Sequence, residues 1–240
     1  MLAQTPEMVK IPGGECPIGP TISHVGPDEG DHHATLPEFL ISKYPITNQE
    51  YKEFVDATGH APPDASFGGR QRLWNGATFP PEIVRQPVVN VSWQDAVDFC
   101  AWLSKVAGRQ YRLPTEEEWE LAARGGLKGK PYPWGDKIDN ESAWYGQKWK
   151  GLATLRNVDY GKPNAYGLYG IAGNVWQWTA TWYAPEYNGR VVQEELHLYR
   201  IIRGGSWANE ESFAAVNYRN FNPPDVREVY IGFRVAANGR

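Results

Sequence analysis

The sequence predicts an α+β fold rich in loops, and three observations carry that expectation. Helical patterns fall only in the first half of the chain, strands and loops fill the second, and no alternating βαβ order is present. The 240 residues include 11 Trp, 13 Tyr, 25 Gly and 19 Pro. Such a composition suits aromatic rings filling the gaps between turn-forming segments. Nothing reads as a linker, a repeat or a low-complexity tract, so one domain over residues 1–240 is expected.

Met8-Val9-Lys10-Ile11, the turn Pro12-Gly13-Gly14, and Glu15-Cys16-Pro17-Ile18 read as strand, turn, strand. Residues 20–36 are polar and rich in Gly, Pro, Asp and His, and are expected to be a loop. Residues 39–44 read as a strand. Thr47 with Glu50 has the spacing of a capping box, in which each side chain satisfies a free amide at a helix start. Tyr51, Phe54 and Val55 give that helix its apolar face, and Gly59 ends it.

Residues 60–90 are irregular, with Pro62, Pro63, Gly68, Gly69, Pro80 and Pro81. Ser92 with Asp95 opens a second helix. Its apolar positions are Ala96, Phe99, Cys100, Leu103 and Val106, and Gly108 stops it. Thr115 with Glu118 opens a third, short helix that closes at Gly125-Gly126. Beyond it the only regular patterns are short strands such as 200–203 and 231–235. Asn220, Phe221, Asn222, Pro223 and Pro224 are expected to be exposed loop, because Pro lacks a donor and Asn favours turns.

A net charge of −4, with no run of Lys or Arg, gives no footprint for nucleic acid. No stretch is long and apolar enough for a membrane span, and no secretory signal is expected at the N-terminus. Cys16 and Cys100 are expected to be reduced, buried thiols. A cytoplasmic or virion-associated setting follows. Of the five histidines, His24, His32, His33, His60 and His197, no two have the i, i+4 spacing that puts a metal-ligand pair on one helical face. No metal is expected.

Several stretches together carry a family likeness. They are MVKIPGG from Met8, PVVNVSWQDAVDFCAWL from Pro87, YRLPTEEEWELAARGG from Tyr111, YPWG from Tyr132, NAYGLYGIAGNVWQW from Asn164, RGGSW from Arg203, and GFR at Gly232. In this order they resemble the formylglycine-generating-enzyme, or sulfatase-modifying-factor, family. The likeness spans essentially the whole chain. It implies a C-type-lectin-like fold with little regular secondary structure.

The resemblance also implies chemistry to test. Members with oxidase activity hold copper through two cysteine thiolates shortly after the GGS motif, a soft donor pair suited to Cu(I). The matching positions here read Asn209 and Ala214. One calcium site of the family lies at the GNVWQW motif, where an acidic residue is replaced by Gln177 and a usual Asn or Asp by Gly170. Hard cations want charged oxygens. The expectation is therefore a non-enzymatic protein with no catalytic residue and no cofactor. The alternatives are an oxidase, a related iron-dependent sulfoxide synthase lacking its helical partner domain, and an accessory member of unassigned role.

The C-terminal segment adds a second likeness. It resembles the variable region of proteins diversified by retroelements, which display a changing surface on a C-type-lectin scaffold. The resemblance assigns a fixed skeleton to Gly204, Gly205, Ser206, Trp207, Arg219, Pro224, Asp225, Arg227, Ile231, Gly232, Phe233 and Arg234. Between them, within residues 208–230, lie the candidate ligand-binding positions Ala208, Asn209, Phe213, Tyr218, Asn220, Phe221, Asn222, Pro223, Val226, Val229 and Tyr230. Aromatics on irregular backbone give large contact area at low entropic cost, as protein-binding surfaces require. The expected partner is a protein or other macromolecule. Arg203, Arg219, Arg227 and Arg234 are expected to pair with buried carboxylates or carbonyls, and Trp176, Trp178 and Trp207 to be core.

Overall fold

The computed structural model describes residues 5–18, 21–23, 26–28, 32–64, 72–184, 186–187, 190–191 and 197–239. Three α-helices form where the sequence places them: α1 (Asn48–Thr58), α2 (Trp93–Ala107) and α3 (Glu116–Arg124). Each starts at a complete capping box, Thr47/Glu50, Ser92/Asp95 and Thr115/Glu118, and each ends at a left-handed glycine, Gly59, Gly108 and Gly125. The signal is local, three or four residues long, so it survives in the sequence. Val106 departs from expectation. It is 47% exposed, on the outer side of the last turn of α2.

Two sheets organise the rest. The first is antiparallel, with strands in the order β1 (Met8–Ile11), β6 (Phe39–Ser42), β14 (Ala236–Asn238) and β7 (Tyr111–Arg112). It ties the start of the chain to its end. The second runs β13 (Ile231–Phe233), β8 (Trp176–Trp182), β11 (Arg200–Arg203), β12 (Tyr218–Asn222), β3 (Thr21–Ser23) and β4 (Gly26–Asp28). The small ladders are β2 (Gly14–Ile18) with β5 (His32–Leu36), and β9 (Glu186–Tyr187) with β10 (Arg190–Val191).

Two loop expectations are corrected here. The polar segment 20–36 contributes β3, β4 and β5, and Asn220 and Asn222 lie within β12. In both places the ladder is made with distant strands, β12 and β2 for the first and β11 for the second. Backbone pairing of that kind outweighs local turn preference. Pro223 and Pro224 follow the last residue of β12, so no ladder donor is lost to them.

The main core lies between α1, α2 and the second sheet. Tyr51 stacks on Phe99 at 5.8 Å and meets Phe54 and Phe233 edge-on. Trp176, Trp178 and Trp207 belong to this core, as expected. A second cluster lies under α3, with Trp119, Phe39, Ile41, Ile171 and Cys16.

Candidate binding surface

The candidate surface is built on β11 and the strands beside it. Arg200 faces Asn222, Ile201 faces Phe221, Ile202 faces Asn220, and Arg203 faces Arg219 across the β11–β12 ladder. Side chains alternate along a strand, and opposed residues share a face. One face therefore carries Tyr218, Asn220 and Asn222 with Arg200 and Ile202. The other carries Arg219 and Phe221 with Ile201 and Arg203.

The second face is fastened to α3 by charge. Arg203 is fully buried. It donates to Glu120, to the carbonyls of Tyr218 and Val216, and lies 3.3 Å from Glu116. Arg219 takes Glu116 by Nε and Nη2, at 2.7 and 3.0 Å. Arg227 meets Asp95 of α2 at 2.9 Å. The fully buried Arg234 donates to the carbonyls of Ser42, Lys43 and Tyr169 and to Gln177 Oε1. All four arginines expected to pair, Arg203 and the skeleton's Arg219, Arg227 and Arg234, thus hold buried acceptors, and the backbone of 203–234 is pinned from below.

The Gly204-Gly205 pair is required by close approach. Both have positive φ, +102° and +70°. A Cβ on Gly204 would lie 2.9 Å from the Ile171 carbonyl, and one on Gly205 2.8 Å from that of Phe213. Only glycine fits such a place. The following turn is closed by Asn209, whose Oδ1 accepts from Ser206 Oγ at 2.6 Å, Trp176 Nε1 at 2.9 Å and Ser206 N at 3.2 Å.

The predicted ligand-binding positions divide. Ala208 is exposed, and Phe213, Asn220, Phe221, Asn222, Pro223, Val226 and Tyr230 are half-buried. Tyr218 and Val229 are instead core residues, 4% and 1% exposed. Tyr218 packs against Phe213 at 4.7 Å and Trp176 at 6.1 Å, at the inner end of β12. Val229 sits in the last turn before β13, where its carbonyl receives Trp207 Nε1. Asn209 is half-buried but committed to its turn. Phe221 departs from its neighbours in a different way: it stacks on Tyr183 at 4.0 Å, beside Tyr199, on the opposite face from Asn220 and Asn222.

Residues that the sequence reading missed lie beside Asn222. The Arg200 guanidinium sits between the rings of Trp93, at 3.6 Å, and Trp182, at 3.4 Å. Trp93 opens α2 and Trp182 ends β8. No local pattern brings these three together.

Neither the copper pair nor the calcium site at the GNVWQW motif fits the residues that stand at those positions. A copper thiolate pair has no counterpart in an Asn209 oxygen already accepting three hydrogen bonds and a buried alanine at 214. At the GNVWQW motif, Gln177 Oε1 accepts from Trp119 Nε1 and Arg234 Nε, at 2.8 and 2.7 Å, and its Nε2 donates to the Gly170 carbonyl at 2.8 Å. A neutral amide bonded to a buried guanidinium is no ligand for a hard cation. Both cysteines are free and buried, and burial pushes the Cys16 thiol up to about 12 and the Cys100 thiol still higher. Among the described residues no group of three or more His, Cys, Asp and Glu side chains could hold a metal. His60 meets Asp95 at 3.0 Å, and His197 packs edge-on to Trp182. The side chains of His24, His32 and His33 lie outside the described residues. No described helix is long and apolar enough to cross a membrane.

Comparison with known proteins places this arrangement. The family model of the sulfatase-modifying factor enzyme 1-like domain matches residues 2–239. The formylglycine-generating enzyme of Streptomyces coelicolor is 34% identical, over 95% of this chain and 88% of its own length. The inactive C-alpha-formylglycine-generating enzyme 2 of Bos taurus is 35% identical, over 98% and 89%. Among solved structures, PvdO from Pseudomonas aeruginosa superposes with a TM-score of 0.78 at 32% identity, covering 97% of this chain and 94% of that one. Treponema denticola variable protein 1 superposes at 0.70 with 26% identity, covering 96% and 94%. The chain belongs to the formylglycine-generating-enzyme, or sulfatase-modifying-factor, family, and its loop-rich α+β fold is the C-type-lectin-like fold of that family.

Proposed function

We propose that this protein is a non-enzymatic ligand-binding member of the family, displaying a diversified surface of the retroelement variable-protein kind. The observation that carries the reading is Asn209. At the position where the resemblance calls for a copper thiolate stands an amide spent on Trp176 and Ser206. Active and inactive relatives have nearly equal identity to the chain, so identity does not decide between them. The side chains present favour the inactive class, because an oxidase of this type needs two accessible thiolates.

A rigid floor under a partly exposed rim supports binding. The floor is Trp176, Tyr218, Val229 and the arginine skeleton. The rim is Ala208, Phe213, Asn220, Asn222, Pro223, Val226 and Tyr230, while Phe221 stacks on Tyr183 on the opposite face of β12. The likeness in fold to a solved variable protein of Treponema denticola supports the same reading. A rim spread over several loops and a strand suits a protein or other macromolecule, rather than a small molecule in a pocket.

Two experiments test this. The DNA flanking the coding sequence should contain a reverse transcriptase and a near-copy of the 3′ end differing mainly at adenines. Finding neither removes the diversification and leaves the role open. Purified protein incubated with Cu(I) should neither retain stoichiometric copper nor oxidise a cysteine peptide. Turnover of the peptide would establish the oxidase alternative.

A further inference from the structure

Away from the candidate surface, a cavity of about 560 Å³ is lined by residues from 82–86 and from 152–160. That volume is ordinary for a small-molecule site. Leu152, Ala153 and Leu155 give the cavity an apolar side. Its walls are fixed by hydrogen bonds. Gln86 Nε2 donates to the carbonyls of Leu152 and Leu155, at 3.0 and 3.1 Å, and Val158 N donates to the Arg85 carbonyl at 2.9 Å. The Asn174 side chain brackets the Arg156 backbone, accepting from its N at 3.1 Å and donating to its carbonyl at 2.9 Å. Walls held in this way lose little freedom when a ligand binds.

Two charged side chains of the lining, Arg156 and Glu82, have no ion-pair partner among the described residues. Two other exposed arginines are paired, Arg72 with Asp64 at 2.8 Å and Arg85 with Asp159 at 2.7 Å. Asp159 stands three residues from Arg156 and also lines the cavity, but Arg85 has taken it. Arg156 is held by aromatic rings instead. Its guanidinium carbon lies 4.0 Å from the centre of the Trp144 ring and 5.5 Å from that of Tyr160, itself a wall of the cavity. Trp144 is fixed by Nε1 donation to the Thr154 carbonyl at 2.7 Å, and Tyr160 by its hydroxyl donating to the Asn140 carbonyl. Stacking occupies the face of a guanidinium and leaves its N–H edges for an acceptor. Arg156 and Glu82 are both exposed, so neither charge is closed to a ligand.

We propose that this cavity binds a small zwitterion with an apolar body, of the amino-acid class, its carboxylate held by Arg156, its ammonium by Glu82 and its apolar part by Leu152, Ala153 and Leu155. With Asp159 neutralised by Arg85, the free charges of the lining are one of each sign. A ligand with only a negative charge gains at Arg156 and is repelled by Glu82, and one with only a positive charge meets the reverse. A zwitterion satisfies both. The site lies outside residues 208–230 and does not depend on the binding-surface reading.

The test uses the intact protein with leucine as the probe, followed by the Arg156 Nε–H and Trp144 Nε1–H resonances at constant ionic strength. Both should move saturably, with a dissociation constant of about a millimolar. Isocaproate, which lacks the ammonium, and isoamylamine, which lacks the carboxylate, should each bind about tenfold more weakly. Glycine, which lacks the apolar part, should bind more weakly as well. Arg156→Gln should weaken leucine binding about tenfold and leave isoamylamine unchanged. Glu82→Gln should weaken leucine binding and leave isocaproate unchanged or tighter. Both positions are exposed, so melting temperatures close to that of the parent are expected. Resonances that show no saturation at about ten times the expected constant overturn the proposal, and this readout needs no variant to fold. Equal affinity for leucine and for either single-charge analogue also overturns it, because one of the two charged contacts is then not made. Retention of full leucine affinity in Arg156→Gln does the same.

Discussion

Arg234 Nε donates to Gln177 Oε1 at 2.7 Å, and both side chains are completely buried. Trp119 Nε1 donates to the same oxygen at 2.8 Å. One amide therefore joins α3, β8 and the chain segment that follows β13. Gln177 does this because it is neutral: its other end is a donor, and the Gly170 carbonyl accepts from it.

Replacing Gln177 by Leu should accordingly destabilise the fold by about 3 kcal/mol or more, because one neutral and one charged donor are left buried without an acceptor. Gln177→Glu should cost less. It keeps an acceptor for both donors and gives Arg234 a counter-charge, while setting an oxygen against the Gly170 carbonyl. Urea unfolding of the two variants checks this. A loss below about 1 kcal/mol for the Leu variant would show that Gln177 does not join these elements energetically.

The helices were legible because their signals are local: Thr47/Glu50, Ser92/Asp95 and Thr115/Glu118 sit three residues apart. The strand at 218–222 was not, because its partners at 200–203 and 21–23 are distant, and a row reading Asn-Phe-Asn-Pro-Pro looks like loop until that pairing is known. The same limit applies to the surface. The arginine skeleton was legible as pairing residues, since a buried arginine needs acceptors wherever it lies. Which aromatics face inward was not: Tyr218 and Phe221 are alike in sequence texture, yet register puts one in the core and the other against Tyr183. The Trp93–Arg200–Trp182 clamp joins three elements and leaves no trace in any one of them.

Both thiols should be inert in the native protein. With the Cys16 pKa raised to about 12, roughly one molecule in ten thousand carries the thiolate at pH 8, and Cys100, whose thiol is pushed up further by desolvation, carries less. Native protein should release no thionitrobenzoate from Ellman's reagent at pH 8 on the timescale in which denatured protein titrates two thiols. Raising the pH toward 9 should change little, because the folded-state pKa still lies far above. Rapid labelling of one native thiol would reopen a catalytic role for it.

The Glu120 carboxylate should be among the least replaceable groups in the molecule. It accepts from Arg124 Nε and Nη2, at 3.0 and 2.5 Å, and from Arg203 Nη2, with no exposure to water. Glu120→Ala would leave two arginines short of a counter-charge at the base of β11. The expected cost is about 3–5 kcal/mol. Glu120→Gln keeps the shape and one acceptor oxygen and should recover part of the loss. A smaller melting-temperature drop for Ala than for Gln would contradict the pairing.

The final prediction separates floor from rim within the candidate surface itself. Tyr218 and Asn222 are four residues apart on the same face of β12, but Tyr218 packs under Phe213 and Trp176 whereas Asn222 lies half-exposed beside Arg200. Tyr218→Ala should cost about 3–5 kcal/mol through the cavity it leaves. Asn222→Ala, Phe213→Ser and Tyr230→Ser should differ in kind, with Asn222→Ala within about 0.5 kcal/mol of the parent and the two aromatic changes between these limits. A deep mutational scan of residues 208–230, read by folding rather than by binding, would give the result directly. Tolerance concentrated at Ala208, Asn220, Asn222, Pro223 and Val226, with intolerance at Asn209, Tyr218 and Val229, is the pattern of a displayed rim on a fixed floor. Uniform intolerance across the segment would mean that these side chains hold the fold together and that the binding surface lies elsewhere.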